Sequence, residues 1–85
     1  MRQDAEFFGD REAVLIYIAA RLSDAQRLET VLDDAGIDYA VEAKEYRGGV
    51  IFTSVRTGAF FYVLPENAGA ARDAMARHRF RPIAG

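Results

Sequence analysis

The sequence predicts an α+β domain, a single antiparallel sheet of about four strands with two helices laid on one face, and three observations carry that prediction. Val14 to Ala20 is apolar throughout apart from the Tyr17 hydroxyl and rich in β-branched types, as a strand covered on both faces requires. A bounded amphipathic stretch, Ser23 to Ala35, follows it directly. Near the C-terminus the same succession returns, with Ala59 to Leu64 apolar on both faces and an alanine-rich helical stretch behind it.

Each element has its own local signals. Residues 1–12 mix charge with Phe7 and Phe8 and show no period, which predicts a partly ordered N-terminal arm anchored by the two phenylalanines, ahead of one domain over 13–85. The first helix is predicted to open on a capping box, with Ser23 bonding the Gln26 amide and the Gln26 side chain returning to Ser23, and Asp24 favourably placed at the positive helix end. Ala25, Leu28, Val31, Leu32 and Ala35 form its buried stripe. Gly36 can adopt the left-handed conformation that stops the helix, with Ile37 as the hydrophobe of a Schellman motif.

From Ile37 the period changes to two. Ile37, Tyr39, Val41 and Ala43 fall on one face and Asp38, Ala40, Glu42 and Lys44 on the other, which predicts a half-exposed strand. Tyr46-Arg47-Gly48-Gly49 reads as a turn, Val50 to Arg56 as a third strand, Thr57-Gly58 as a second turn and Ala59 to Leu64 as a central strand, together a three-stranded meander. Pro65-Glu66-Asn67 opens the last helix with Asn67 as the expected cap, and Ala68, Ala71, Ala74, Met75 and His78 are placed on its inner side. Arg79-Phe80-Arg81-Pro82-Ile83 alternates and is expected to add a short C-terminal edge strand. The resulting order, βαβββα, suits a ferredoxin-like two-layer sandwich. Leu15, Tyr17, Phe60 and Tyr62, or their alternates, then face away from the helices, which predicts a homo-oligomer that covers them.

Composition narrows the function. A chain of 85 residues with net charge −2 and no cysteine is a single small domain without disulfides or thiolate metal sites, expected in a reducing cytoplasm. No apolar run is long enough to span a bilayer, and no signal peptide is recognisable. A pI near 5.3 weighs against phosphate neutralisation as the main task. The basic residues Arg72, Arg77, His78, Arg79 and Arg81 nevertheless gather near the C-terminus around Phe80, and Arg77, Arg79 and Arg81 would carry an alternative nucleic-acid role.

No residue set points to catalysis or to a cofactor. His78 is the only histidine and would need Ser23 or Ser54 and an orienting carboxylate for nucleophilic chemistry. Its place in a last helical turn already has a dipole explanation. Asp33, Asp34 and Asp38 have no cysteine or second histidine beside them, and a solvated acidic surface accounts for them better than a metal. A ligand site is expected instead at the turn, with Arg47, Gly48, Gly49 and Arg56 as a small anion cradle and Tyr46 as a stacking face.

These stretches also resemble a family. Tyr17-Ile18-Ala19-Ala20, Asp24-Ala25-Gln26, Leu32-Asp33-Asp34-Ala35-Gly36-Ile37-Asp38-Tyr39 and Tyr62-Val63-Leu64-Pro65-Glu66 are similar to those of small bacterial domains described as prokaryotic signal-transducing proteins, over roughly residues 14–80. Those domains look like reduced relatives of the nitrogen-regulatory P-II proteins, which share the ferredoxin-like fold, form trimers and bind nucleotides and 2-oxoglutarate. The resemblance implies a non-enzymatic regulatory module, homo-oligomeric, taking a small anionic ligand or a protein partner. Only Arg47-Gly48-Gly49 stands where P-II proteins carry a long loop, and no glycine-rich phosphate loop is present, so nucleotide binding is not carried over.

Overall fold

The computed structural model describes residues 1–9, 12–48 and 54–81. Strand β1 (Arg2–Gln3) and a 3-10 turn (Ala5–Phe8) precede β2 (Val14–Ala19), α1 (Leu22–Asp34), β3 (Tyr39–Gly48), β4 (Ser54–Val63) and α2 (Pro65–Arg77). The four strands form one sheet in the order β1-β3-β4-β2. β4 runs antiparallel to both neighbours, whereas β1 lies parallel to β3, so the sheet is mixed. Both helices pack on one face, against each other and against β2.

The expected meander is a hairpin instead. Thr57 and Gly58 do not turn: they continue β4 and stand opposite Glu45 and Lys44 on the β3 ladder. A turn there would forfeit ladder hydrogen bonds, and Gly58 has no positive φ to suggest one. The start of the expected third strand, residues 50–53, lies outside the described residues, as does Gly49. At the C-terminus Arg79 to Arg81 form a turn and its exit rather than a strand, and Pro82 and Ile83 lie outside the described residues.

Both helices start earlier than their expected caps. α1 begins at Leu22 with Arg21 in the N-cap position, so Ser23 falls inside the first turn and no side chain caps the helix. α2 begins at Pro65, where a missing N–H and a locked φ cost nothing, and the Asn67 amide donates to the Leu64 carbonyl at 2.9 Å. Both helix stops are Schellman motifs. Ile37 N–H reaches Leu32 C=O at 3.0 Å over Gly36 at φ 70°, as expected. Phe80 N–H reaches Met75 C=O at 2.9 Å over Arg79 at φ 66°, and here the strained position is held by a residue with a Cβ. His78 caps this end exposed, not on the inner side.

One bulge decides which side chains face the helices. Leu15 pairs with Tyr62 and Tyr17 with Phe61, which leaves Ile16 as the inserted residue. Ile16 and Tyr17 both therefore join the helix side, and Ile18, paired with Phe60, takes the outer position expected of Tyr17. Ile16, Leu28, Leu32, Phe61, Val63 and Met75 are fully buried between the sheet and the helices. Ala40, expected on the exposed side of its strand, is buried, and Phe8 from the 3-10 turn lines the same side pocket.

Candidate interaction surface

The face of the sheet without helices is the most distinctive surface of the molecule. Ladder register sets it out in rows: Ala40, Tyr62 and Leu15, then Glu42, Phe60 and Ile18, then Lys44 opposite Gly58. Leu15, Ile18, Phe60 and Tyr62 are each only partly buried, whereas their neighbours in sequence Ile16, Phe61 and Val63 are fully so. The 3-10 turn shelters the row at Ala40 and leaves the β2–β4 side uncovered by any helix.

Lys44 lies across this face. Its ammonium donates to Tyr62 Oη at 2.9 Å, pairs with Glu42 at 3.0 Å, and stands 5.3 Å from the Tyr62 ring centroid and 5.7 Å from that of Phe60. The hydrogen bond to Tyr62, then that to Glu42, holds the ammonium above its ordinary pKa. The side chain thereby keeps a fixed charge over two aromatic rings. A pocket of about 280 Å³ opens between this group and Phe8, Gly9 and Ala13.

Among the described residues the hairpin stands alone beyond this face. β2 pairs with β4 only as far as Ala59, and β1 with β3 only at Tyr39 and Ala40, so from Lys44 to Gly48 and from Ser54 to Gly58 the ribbon is two strands wide. A two-stranded ribbon is marginal in water without a packed face. Tyr46, Arg47 and Gly48 of the expected anion cradle lie on this ribbon with exposed Arg56. Register sets Tyr46, not Arg47, opposite Arg56, and Arg47 opposite Val55. Tyr46 and Arg56 are thus brought together on the ladder, and Arg47 is offset from them by one position.

Other candidates are already engaged. An open groove of about 710 Å³ runs between α1 and the β1 edge, where the Met1 ammonium lies 3.3 Å from Asp33 and 3.8 Å from Asp38 and Arg2 lies 3.5 Å from Glu29. Tyr39 Oη donates to Glu29 at 3.3 Å; burial first, then the Glu29 and Asp33 charges, pushes this phenol far above its ordinary pKa. At the C-terminal end Arg77, Arg79 and Arg81 are exposed, but Phe80 between them is buried. The Arg27 guanidinium stacks 4.2 Å above its ring and Tyr17 meets it edge-on at 5.3 Å, so this aromatic holds the core together and offers no face to a base. Among the described residues no group of three His, Cys, Asp or Glu side chains is placed to hold a metal, and no helix is long and apolar enough to cross a membrane.

The Lys44–Tyr62 bond escaped the sequence, although the alternation of Glu42 and Lys44 on one face was legible. Their partner depended on register across Thr57-Gly58, which read as a turn. The chain was compared with protein-family models, curated proteins and solved structures, and none matches it.

Proposed function

We propose that this chain is a non-enzymatic regulatory or interaction module of the cytoplasm that works as a homo-oligomer and takes a small anionic ligand or a protein partner. The observation that carries this reading is a sheet with helices on one face only, whose other face sets Leu15, Ile18, Phe60 and Tyr62 around a fixed Lys44–Glu42 pair. The succession β2-α1-β3-β4-α2, with β4 between β3 and β2, supports a ferredoxin-like arrangement and so the likeness to prokaryotic signal-transducing domains related to P-II proteins. Arg56 opposite Tyr46 supports the ribbon as the place for an anion.

A thermal-shift panel of nucleotides, 2-oxoglutarate, amino acids and phosphorylated metabolites tests the ligand arm. A ligand at a hundred times its Kd adds about 2.7 kcal/mol, and each kilocalorie raises the melting temperature of a domain this size by about 4–8 °C. A reproducible rise that Arg56→Ala removes identifies a small-molecule sensor; a flat panel leaves the protein-partner arm. Turnover of any substrate, or a strict monomer in light scattering at high micromolar concentration, contradicts the reading. The exposed Arg77, Arg79 and Arg81 support a nucleic-acid role as the alternative, and salt-dependent retention of single-stranded RNA or DNA that is lost on their joint change to alanine would establish it.

A further inference from the structure

We propose that the helix-free face is a two-fold contact between two copies of this chain, in which Glu42 of each copy meets Lys44 of the other. The inference rests on the homo-oligomeric reading above and names its partner, its symmetry and its pairing residues.

Two observations converge on a second copy. The first is shape. Leu15, Ile18, Phe60 and Tyr62 stand in two adjoining rows of a sheet and are partly exposed, which suits the face of another sheet packed about 10 Å away.

The second is charge. Glu42 and Lys44 are two residues apart on one face of one strand, each with more than a third of its side chain exposed. A two-fold axis between them turns the strand end for end and lays carboxylate on ammonium twice, as an isologous contact requires. The pair carries no net charge, so it offers nothing to a strongly acidic or basic partner, and like-charge overlay would disfavour other registers. Lys44 keeps its hydrogen bond to Tyr62 and exchanges Glu42 of its own chain for Glu42 of the other copy.

Charge exchange between protomers tests this pairing. Wild type, Glu42→Lys, Lys44→Glu, their equimolar mixture and the double variant Glu42→Lys/Lys44→Glu are compared by sedimentation equilibrium, with circular dichroism as the control for folding. The expected result is a reversible dimer of twice 9.5 kDa for wild type, self-association weakened at least about ten-fold in each single variant, and recovery in both the mixture and the double variant. The mixture is decisive, because each of its chains still carries two like charges and only pairing between chains can restore association. A wild-type monomer overturns both the contact and the homo-oligomeric reading. An oligomer that the reversals leave unchanged, or one that mixing does not rescue, overturns this contact alone and points to the β2 edge or the ribbon as the interface.

Discussion

The two faces of one sheet are built from the same kinds of residue and differ in what lies over them. On the helix side Ile16, Phe61 and Val63 are fully buried, and no side-chain polar atom among the described residues is buried without a partner. On the other side Leu15, Ile18, Phe60 and Tyr62 stop part-way, with Lys44 reaching across the rings of Phe60 and Tyr62. Apolar area left in contact with water costs about 25 cal/mol per Å² relative to burial. The comparison teaches that the helix side explains why this chain folds, and that the helix-free side is where it has surface left to give to a partner.

The strongest way to break the comparison is to truncate neighbouring phenylalanines. Phe61→Ala should cost about 3–5 kcal/mol, a large part of the stability of a domain this small, while Phe60→Ala should cost the isolated chain less than half as much. Urea denaturation at low protein concentration measures both, and equal losses would erase the distinction. At high concentration Phe60→Ala should lose more, because the proposed dimer would no longer add to stability.

The helix layer is itself tunable at its two stops. Gly36→Ala should lower stability by about 1 kcal/mol, since the added Cβ meets no atom within 4 Å and the cost is that of a left-handed backbone alone. Arg79→Gly should raise it by about the same amount by relieving the matching position after α2. Thermal melts at fixed concentration check the opposite signs.

Tyr39 joins the helix layer to the acidic groove and gives the comparison a pH dependence. Its folded pKa is raised, so its contribution is complete below the ordinary tyrosine value near 10 and is lost as pH rises above it, when the unfolded chain releases the proton first. Between about pH 10 and 11 wild type should lose on the order of 1 kcal/mol more than Tyr39→Phe. Parallel losses in the two proteins would contradict this. The smallest effect is expected at the uncapped start of α1, where Arg21→Asp should add about 0.5–1 kcal/mol by supplying an N-cap oxygen.

How much of this was legible depends on where the deciding interaction lay. The first helix, its Gly36 stop and the apolar strands at Val14 and Ala59 follow from local pattern, because periodicity and backbone conformation are set within a few residues. The second stop was hidden because Arg79 occupies a position that glycine usually marks. Thr57-Gly58 misled for the opposite reason: the glycine suggested a turn, but pairing with Lys44 and Glu45 across the hairpin outweighs that local preference. The bulge at Ile16, which exchanges Tyr17 for Ile18 on the outer face, exists only in the register between two strands and leaves no mark in either. The parallel strand at Arg2–Gln3 is two residues long, too short for any periodicity to announce. Of the expected ligand residues, the sequence could bring Tyr46 and Arg56 near one another, but their placement opposite each other, with Arg47 offset, again required the register.

The central claim is that a second copy covers the helix-free face, and sedimentation equilibrium of wild type beside Ile18→Glu, over a dilution series from low to high micromolar, tests it most directly. Wild type should pass reversibly from 9.5 kDa to twice that mass while Ile18→Glu stays at 9.5 kDa with its fold intact. Wild type fixed at 9.5 kDa throughout, or the two proteins associating alike, would contradict the account.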